Sequence, residues 1–172
     1  MRCFVAVWPA PEVVEALAAL PRPDFASGRW TTEDQWHVTV RFFGELAPEA
    51  ISGACTALAA AARSLPGPII AKGGPGTRFL GPGLLVWPVE GLGGAATAVA
   101  DATTGTGQAV PERPFFGHLT LARARRGADL RQARHLLAPL ATSWPVTELS
   151  LVQSVLHPDG ARYRAVENFP LG

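Results

Sequence analysis

The chain states one pattern twice. Val7-Trp8-Pro9 returns as Val86-Trp87-Pro88, and His37-Val38-Thr39-Val40 returns as His118-Leu119-Thr120-Leu121. The gap from tryptophan to histidine is 29 residues in the first copy and 31 in the second. The surrounding elements repeat as well. A strand at 4–8 is followed by an Ala- and Leu-rich helix over 13–20 with prolines at both ends, a Pro- and Gly-containing loop at 21–29 and a strand at 36–43. A strand at 84–89 is followed by a helix over about 92–103, a loop and a strand at 117–123. Two strand–helix–strand units in near register predict a duplicated fold with a pseudo-twofold axis.

The remaining segments fit around these units. A helix is expected over 48–63, after the first unit, and 66–79 is Gly-rich with strand character at Pro68-Ile69-Ile70. A helix near 128–140, a strand near 146–156, the turn Pro158-Asp159-Gly160 and a strand at 161–168 complete the chain. At 172 residues and 48% hydrophobic, it is long and apolar enough for one domain with a real core, and too apolar for disorder. No apolar run approaches the ~20 residues that span a bilayer, and the opening Met1-Arg2-Cys3-Phe4-Val5 reads as a strand, not as a signal peptide. A net charge of +1 does not force nucleic-acid binding, so any polyanion footprint has to be local. Cys3 and Cys55 lack CxxC spacing and sit among apolar residues, which suits small buried thiols in a reducing cytoplasm.

The repeated His-x-Thr-x element carries the chemistry. Alternate side chains of a strand share a face. His37 and Thr39 therefore point one way while Val38 and Val40 point into the core, and His118 with Thr120 does the same against Leu119 and Leu121. With 4 His and 12 Thr in the chain, chance supplies only about 0.3 His-x-Thr matches. Two matches with apolar spacers, at equivalent places in a repeat, are therefore informative. His135, on a basic helix, and His157, before a turn, lack this setting and read as solvated. Imidazole has an ordinary pKa near ~6.5, so one histidine can serve as general acid while the other serves as general base. The threonine hydroxyls add donors for a phosphate oxygen on which charge develops. Such equipment suits displacement at phosphorus. Nothing in the sequence resembles a metal cage, and Gly73-Gly74-Pro75-Gly76 lacks the Lys-Ser/Thr of a phosphate loop. Neither metal nor cofactor is expected.

These residues resemble the two-histidine (2H) phosphoesterase superfamily, and more fully its bacterial and archaeal RNA 2′,3′-cyclic phosphodiesterases, also called 2′-5′ RNA ligases. The likeness runs nearly end to end. It covers Met1–Val7, Arg29-Trp30 with His37–Glu45, Arg113–Arg123 and Pro158–Tyr163. Thr32-Glu33-Asp34-Gln35 and Trp36 depart from the family pattern, and both are expected to affect only the rim of the cleft. The resemblance implies an α+β fold over 1–172. Its two pseudo-symmetric lobes would be antiparallel sheets around a central cleft, with helices outside.

It also implies roles. His37 is the acid that protonates the departing 3′ oxygen, His118 the base that activates water, and Thr39 and Thr120 hold the phosphate. Spacing alone leaves the two histidine roles interchangeable. Arg123 is a candidate phosphate or ribose contact, although strict alternation turns it away from His118 and its use requires a bulge or a strand end. Alternation puts Phe43 and Arg41 on the His37 face, while the family fixes an aromatic at Phe42; either phenylalanine is a candidate base-stacking residue. Arg123, Arg125 and Arg126 form a short basic run. The implied activity is metal-independent hydrolysis of 2′,3′-cyclic phosphates on RNA ends or nucleotides, by a cytoplasmic monomer without a stable protein partner. The rivals are 2′-5′ joining of tRNA halves, a small cyclic phosphate such as a cyclic ADP-ribose derivative, and non-catalytic binding of RNA ends.

Overall fold

The structure, a computed structural model, describes residues 1–22, 24–25, 28–124, 130, 139–157 and 160–172. Its strands are β1 (Arg2–Val7), β2 (Gly28–Trp30), β3 (Val38–Glu45), β4 (Ile69–Gly73), β5 (Arg78–Phe79), β6 (Leu84–Glu90), β7 (His118–Ala124), β8 (Thr142–Val146), β9 (Glu148–His157) and β10 (Gly160–Pro170). The helices are α1 (Pro11–Ala18), α2 (Pro48–Ser64) and α3 (Gly93–Ala102).

The strands pair antiparallel in the order β10-β9-β1-β3-β7-β6-β4-β8, with β2 on β7 and β5 on β6. The two His-x-Thr strands, β3 and β7, are neighbours at the centre. They share a single residue pair, Val38 with Leu119. The two lobes expected from the repeat are thus the halves of one array, β10-β9-β1-β3 and β7-β6-β4-β8, hinged between the two motifs. No helix among the described residues is long and apolar enough to cross a membrane.

One face of the array carries the main core. Val5, Val7, Val38, Phe43, Leu119 and Trp87 meet the helices there, through Val13 and Leu17 of α1, Ala54 and Leu58 of α2, and Ala96 and Val99 of α3. Proline at the first turn of α1 and of α2 fits positions where an N–H has no helical partner. Alanines on the buried faces of α2 and α3 let the two helices approach closely. Trp87 stacks on Trp144, with centroids 6.4 Å apart and planes 11° off parallel. Gly73 of β4 lies against the Trp87 ring, where a Cβ would overlap it. The other face carries Phe4, Ala6 and Val152 with Trp8, Phe42 and Tyr163, and it opens to the site.

Strict alternation fails at the fourth residue of each motif. Ala6 pairs with Thr39 and Val5 with Arg41, so Val40 has no partner across the ladder. Val86 pairs with Thr120 and Leu85 with Ala122, so Leu121 has none. Each is a β-bulge, which reverses the facing of the residues that follow it, in β3 as far as a second irregularity at Phe43. The three-residue β2 was not expected inside a polar loop. Nor was β8, an edge strand that tolerates Pro145 because edge positions need fewer ladder bonds. Most of the helix expected near 128–140, with His135, and also Arg125, Arg126, Pro158 and Asp159, lie outside the described residues.

Candidate active site

The two motif strands place His37, Thr39, His118 and Thr120 on one cleft of about 410 Å³, a size that suits a small-molecule or nucleotide ligand. His37 immediately precedes β3 and His118 opens β7. Both histidines are anchored alike. His37 Nδ1 lies 2.9 Å from the carbonyl oxygen of Gln35, and His118 Nδ1 lies 2.8 Å from that of Phe116, each two residues upstream. A carbonyl only accepts, so each Nδ1 carries the proton and each Nε2 remains for the cleft.

Their surroundings differ. His37 sits among aromatic rings, with Phe4 and Tyr163 each 4.7 Å away by centroid and Trp8 at 5.8 Å. His118 stacks on Phe116 at 5.5 Å. Burial lowers the His37 pKa from 6.5 to about 4. The hydrogen bond to Gln35 opposes the shift, and Arg123 and His118 add to it. Burial also lowers that of His118, against its bond to Phe116, with Arg113 and Arg123 contributing in the same direction. Both imidazoles are therefore held neutral near pH 7. Arg2, Arg29 and Arg123 line the cleft, and among the described residues no carboxylate does. The site thus favours an anion, and an anion placed between the rings would draw their protonation back up.

The bulges decide the remaining expectations. The Leu121 bulge turns Arg123 onto the cleft, where it is exposed. The Val40 bulge turns Arg41 away from the His37 face, which corrects its expected place there. Arg41 is 6% exposed, and its Nη2 donates to the carbonyls of Thr103, Thr106 and Gln108. Phe43 is also corrected: it is fully buried in the main core, with Arg41 over its ring at 5.0 Å. Phe42 takes the other face beside Phe4, with Arg2 over its ring at 4.9 Å.

The departures reach further than the rim. Glu33–Gln35 form a 3-10 turn whose last carbonyl anchors His37, while Gln35 Nε2 reaches Ala161 of β10 at 2.9 Å. Trp36 is buried and donates from Nε1 to Thr31 Oγ1 at 2.9 Å. That hydroxyl lies 2.6 Å from the carbonyl of Thr120 and 2.9 Å from that of Leu121. Thr31 thus ties the flank of the first motif to the bulge of the second, a role no sequence signal indicated. Tyr163, the only tyrosine in the chain, was legible only as part of the terminal hairpin. His157 is exposed as expected but stands on the rim of the cleft. Among the described residues no three His, Cys, Asp or Glu side chains cluster as metal ligands would. Cys3 is buried and Cys55 half-buried, both as free thiols.

A protein of known structure, TT0787 of Thermus thermophilus, superposes with a TM-score of 0.81 at 28% identity, over 99% of this chain and 98% of that one. The structure of E. coli LigT complexed with 3′-AMP superposes at 0.74 and 22% identity, over 99% and 96%. The RNA 2′,3′-cyclic phosphodiesterase of Geobacillus stearothermophilus is 29% identical over 150 residues, or 83% of this chain. The chain shares the fold of these solved structures and is similar in sequence to that phosphodiesterase. It spans about half the length (47%) of that curated relative. No family model matches it. In this chain the histidine anchors and the motif bulges recur in both halves, around one arginine-lined cleft.

Proposed function

We propose that the cleft hydrolyses 2′,3′-cyclic phosphates on RNA ends or nucleotides to 2′-phosphates, as an RNA 2′,3′-cyclic phosphodiesterase. The observation that carries this reading is the pair of imidazoles. They are anchored identically through Nδ1, each leaves Nε2 for the cleft, and each has a threonine two residues along the same strand. Water attacks phosphorus as His118 Nε2 takes its proton. The bond from phosphorus to the 3′ oxygen breaks as His37 Nε2–H protonates that oxygen. The acid and base roles follow the superfamily resemblance. Thr39, Thr120 and Arg123 hold the non-bridging oxygens. The substrate's own negative charge supplies what a protonated His37 lacks among its aromatic neighbours. Residues 1–172 act as a single domain and one chain suffices, because each half contributes one histidine.

Leaving-group chemistry tests the assignment. His37→Ala and His118→Ala each lose about 10²–10⁴-fold in turnover of a 2′,3′-cyclic nucleotide. On a 4-nitrophenyl phosphodiester, whose leaving group needs no proton, His37→Ala recovers much of its loss and His118→Ala does not. Recovery by His118→Ala alone reverses the roles. Full activity in both folded variants refutes the site, and tight binding of cyclic-phosphate ends without turnover by the wild type makes the chain a binder of RNA ends.

A further inference from the structure

A second cavity of about 550 Å³ adjoins the cleft and shares Thr39 and His118 with it. It runs between β3, the α3 face bearing Thr97 and Ala100, and the segment that leads into β7. One wall is apolar and open to solvent, with Val110, Phe115 and Phe116 exposed by 47%, 37% and 38%. Its lining includes Arg41, a residue whose Nε and Nη1 are buried without a hydrogen-bond partner. Arg113 lines it as well, and among the described residues no aspartate or glutamate does.

Exposed aromatic side chains, two arginines and an opening onto His118 match the needs of a nucleotide: a ring to stack and an anion to hold. A purely apolar partner would leave Arg41 without a counter-charge. A chain whose last phosphate sits between the two histidines has to leave the cleft on its 5′ side, and this groove is continuous with the cleft.

We propose that the groove holds the nucleotide preceding the terminal one in single-stranded RNA, its base against Phe115 and Phe116 and its phosphate toward Arg113 and Arg41. The inference rests on the phosphodiesterase reading of the cleft and narrows its substrate from nucleotides to RNA ends.

Steady-state kinetics on a 2′,3′-cyclic mononucleotide and on a trinucleotide with the same cyclic end test it. The wild type is expected to prefer the trinucleotide in kcat/KM by about tenfold or more, the scale of one stacked base. Val110→Glu and Thr97→Glu put a carboxylate on the groove at exposed positions, where folding tolerates it. Each should remove most of that preference and leave mononucleotide turnover within about twofold, since carboxylate repulsion of phosphate acts locally. Turnover of the mononucleotide with no preference for the trinucleotide refutes the groove alone. So does a preference that both variants retain, or a loss of the same size on both substrates. Turnover of neither substrate refutes the phosphodiesterase reading and this inference with it.

Discussion

Protonating His37 places a cation among Phe4, Trp8 and Tyr163 with Arg123 nearby, which is why its pKa falls from 6.5 to about 4. The unfolded chain keeps the ordinary value, so between these limits it binds more protons than the folded one. Stability from the neutral ring is therefore complete above pH 6.5 and is lost as the pH falls toward 4. At about 1.36 kcal/mol per pKa unit, the loss between pH 7 and pH 5 reaches about 2 kcal/mol. The ring keeps some contact with water, so this figure is a ceiling. For a chain of this size it corresponds to a fall in Tm of roughly 4–8 °C.

Calorimetry on the wild type and His37→Gln at both pH values isolates this contribution, because the other titrating groups cancel in the difference. The wild type should lose several degrees more than the variant. Saturating inorganic phosphate should shrink that excess, because an anion between the imidazoles raises their pKa values again. Parallel pH dependence in wild type and variant would show that His37 titrates as it does in the unfolded chain, and the burial argument would fail.

Further outcomes follow from the same geometry. kcat/KM should be bell-shaped, with its maximum on the acid side of 6.5, because both histidine pKa values are lowered and one ring has to be charged; a profile flat from pH 5 to 9 contradicts this. Thr39→Val and Thr120→Val should each cost less than either histidine variant, about tenfold for one lost hydroxyl donor, with Tm little changed. Activity should persist after exhaustive chelation; its loss with EDTA and rescue by one divalent metal would overturn the two-imidazole mechanism. Gly73→Ala should lower stability by about 1–3 kcal/mol, since its Cβ meets the Trp87 ring, and an unchanged melting curve would refute that packing.

The duplication, the two dyads and most elements were legible because hydrophobic period and motif spacing are local signals. The facing of residues after the dyads was not. Val40 and Leu121 are ordinary strand residues, and nothing in an apolar side chain announces that it lacks a ladder partner. Once strict alternation is carried through an unseen bulge, the side chains that follow land on the wrong face until the next irregularity, and Arg41 and Phe43 are the two so affected. Thr31 was invisible for a different reason. Its role comes from packing against a strand about ninety positions away, and such contacts have no periodicity to read.

The bulges also explain why the two motifs have different surroundings. Each stands at the fourth residue of its motif and turns the sixth onto the face that bears the histidine. In the first half that residue is Phe42, which lines the groove; in the second it is Arg123, which lines the cleft. The fifth residue goes to the core side in both, as Arg41 and Ala122. Alanine there costs nothing, whereas a buried guanidinium with two unpaired nitrogens costs on the order of 1–3 kcal/mol. Three carbonyl bonds to the segment preceding β7 offset part of that cost and hold the wall that carries Phe115 and Phe116. The first copy thus supports the approach to the second copy's histidine. The asymmetry lies in the fifth and sixth residues of the repeat, while the two histidine anchors stay equivalent.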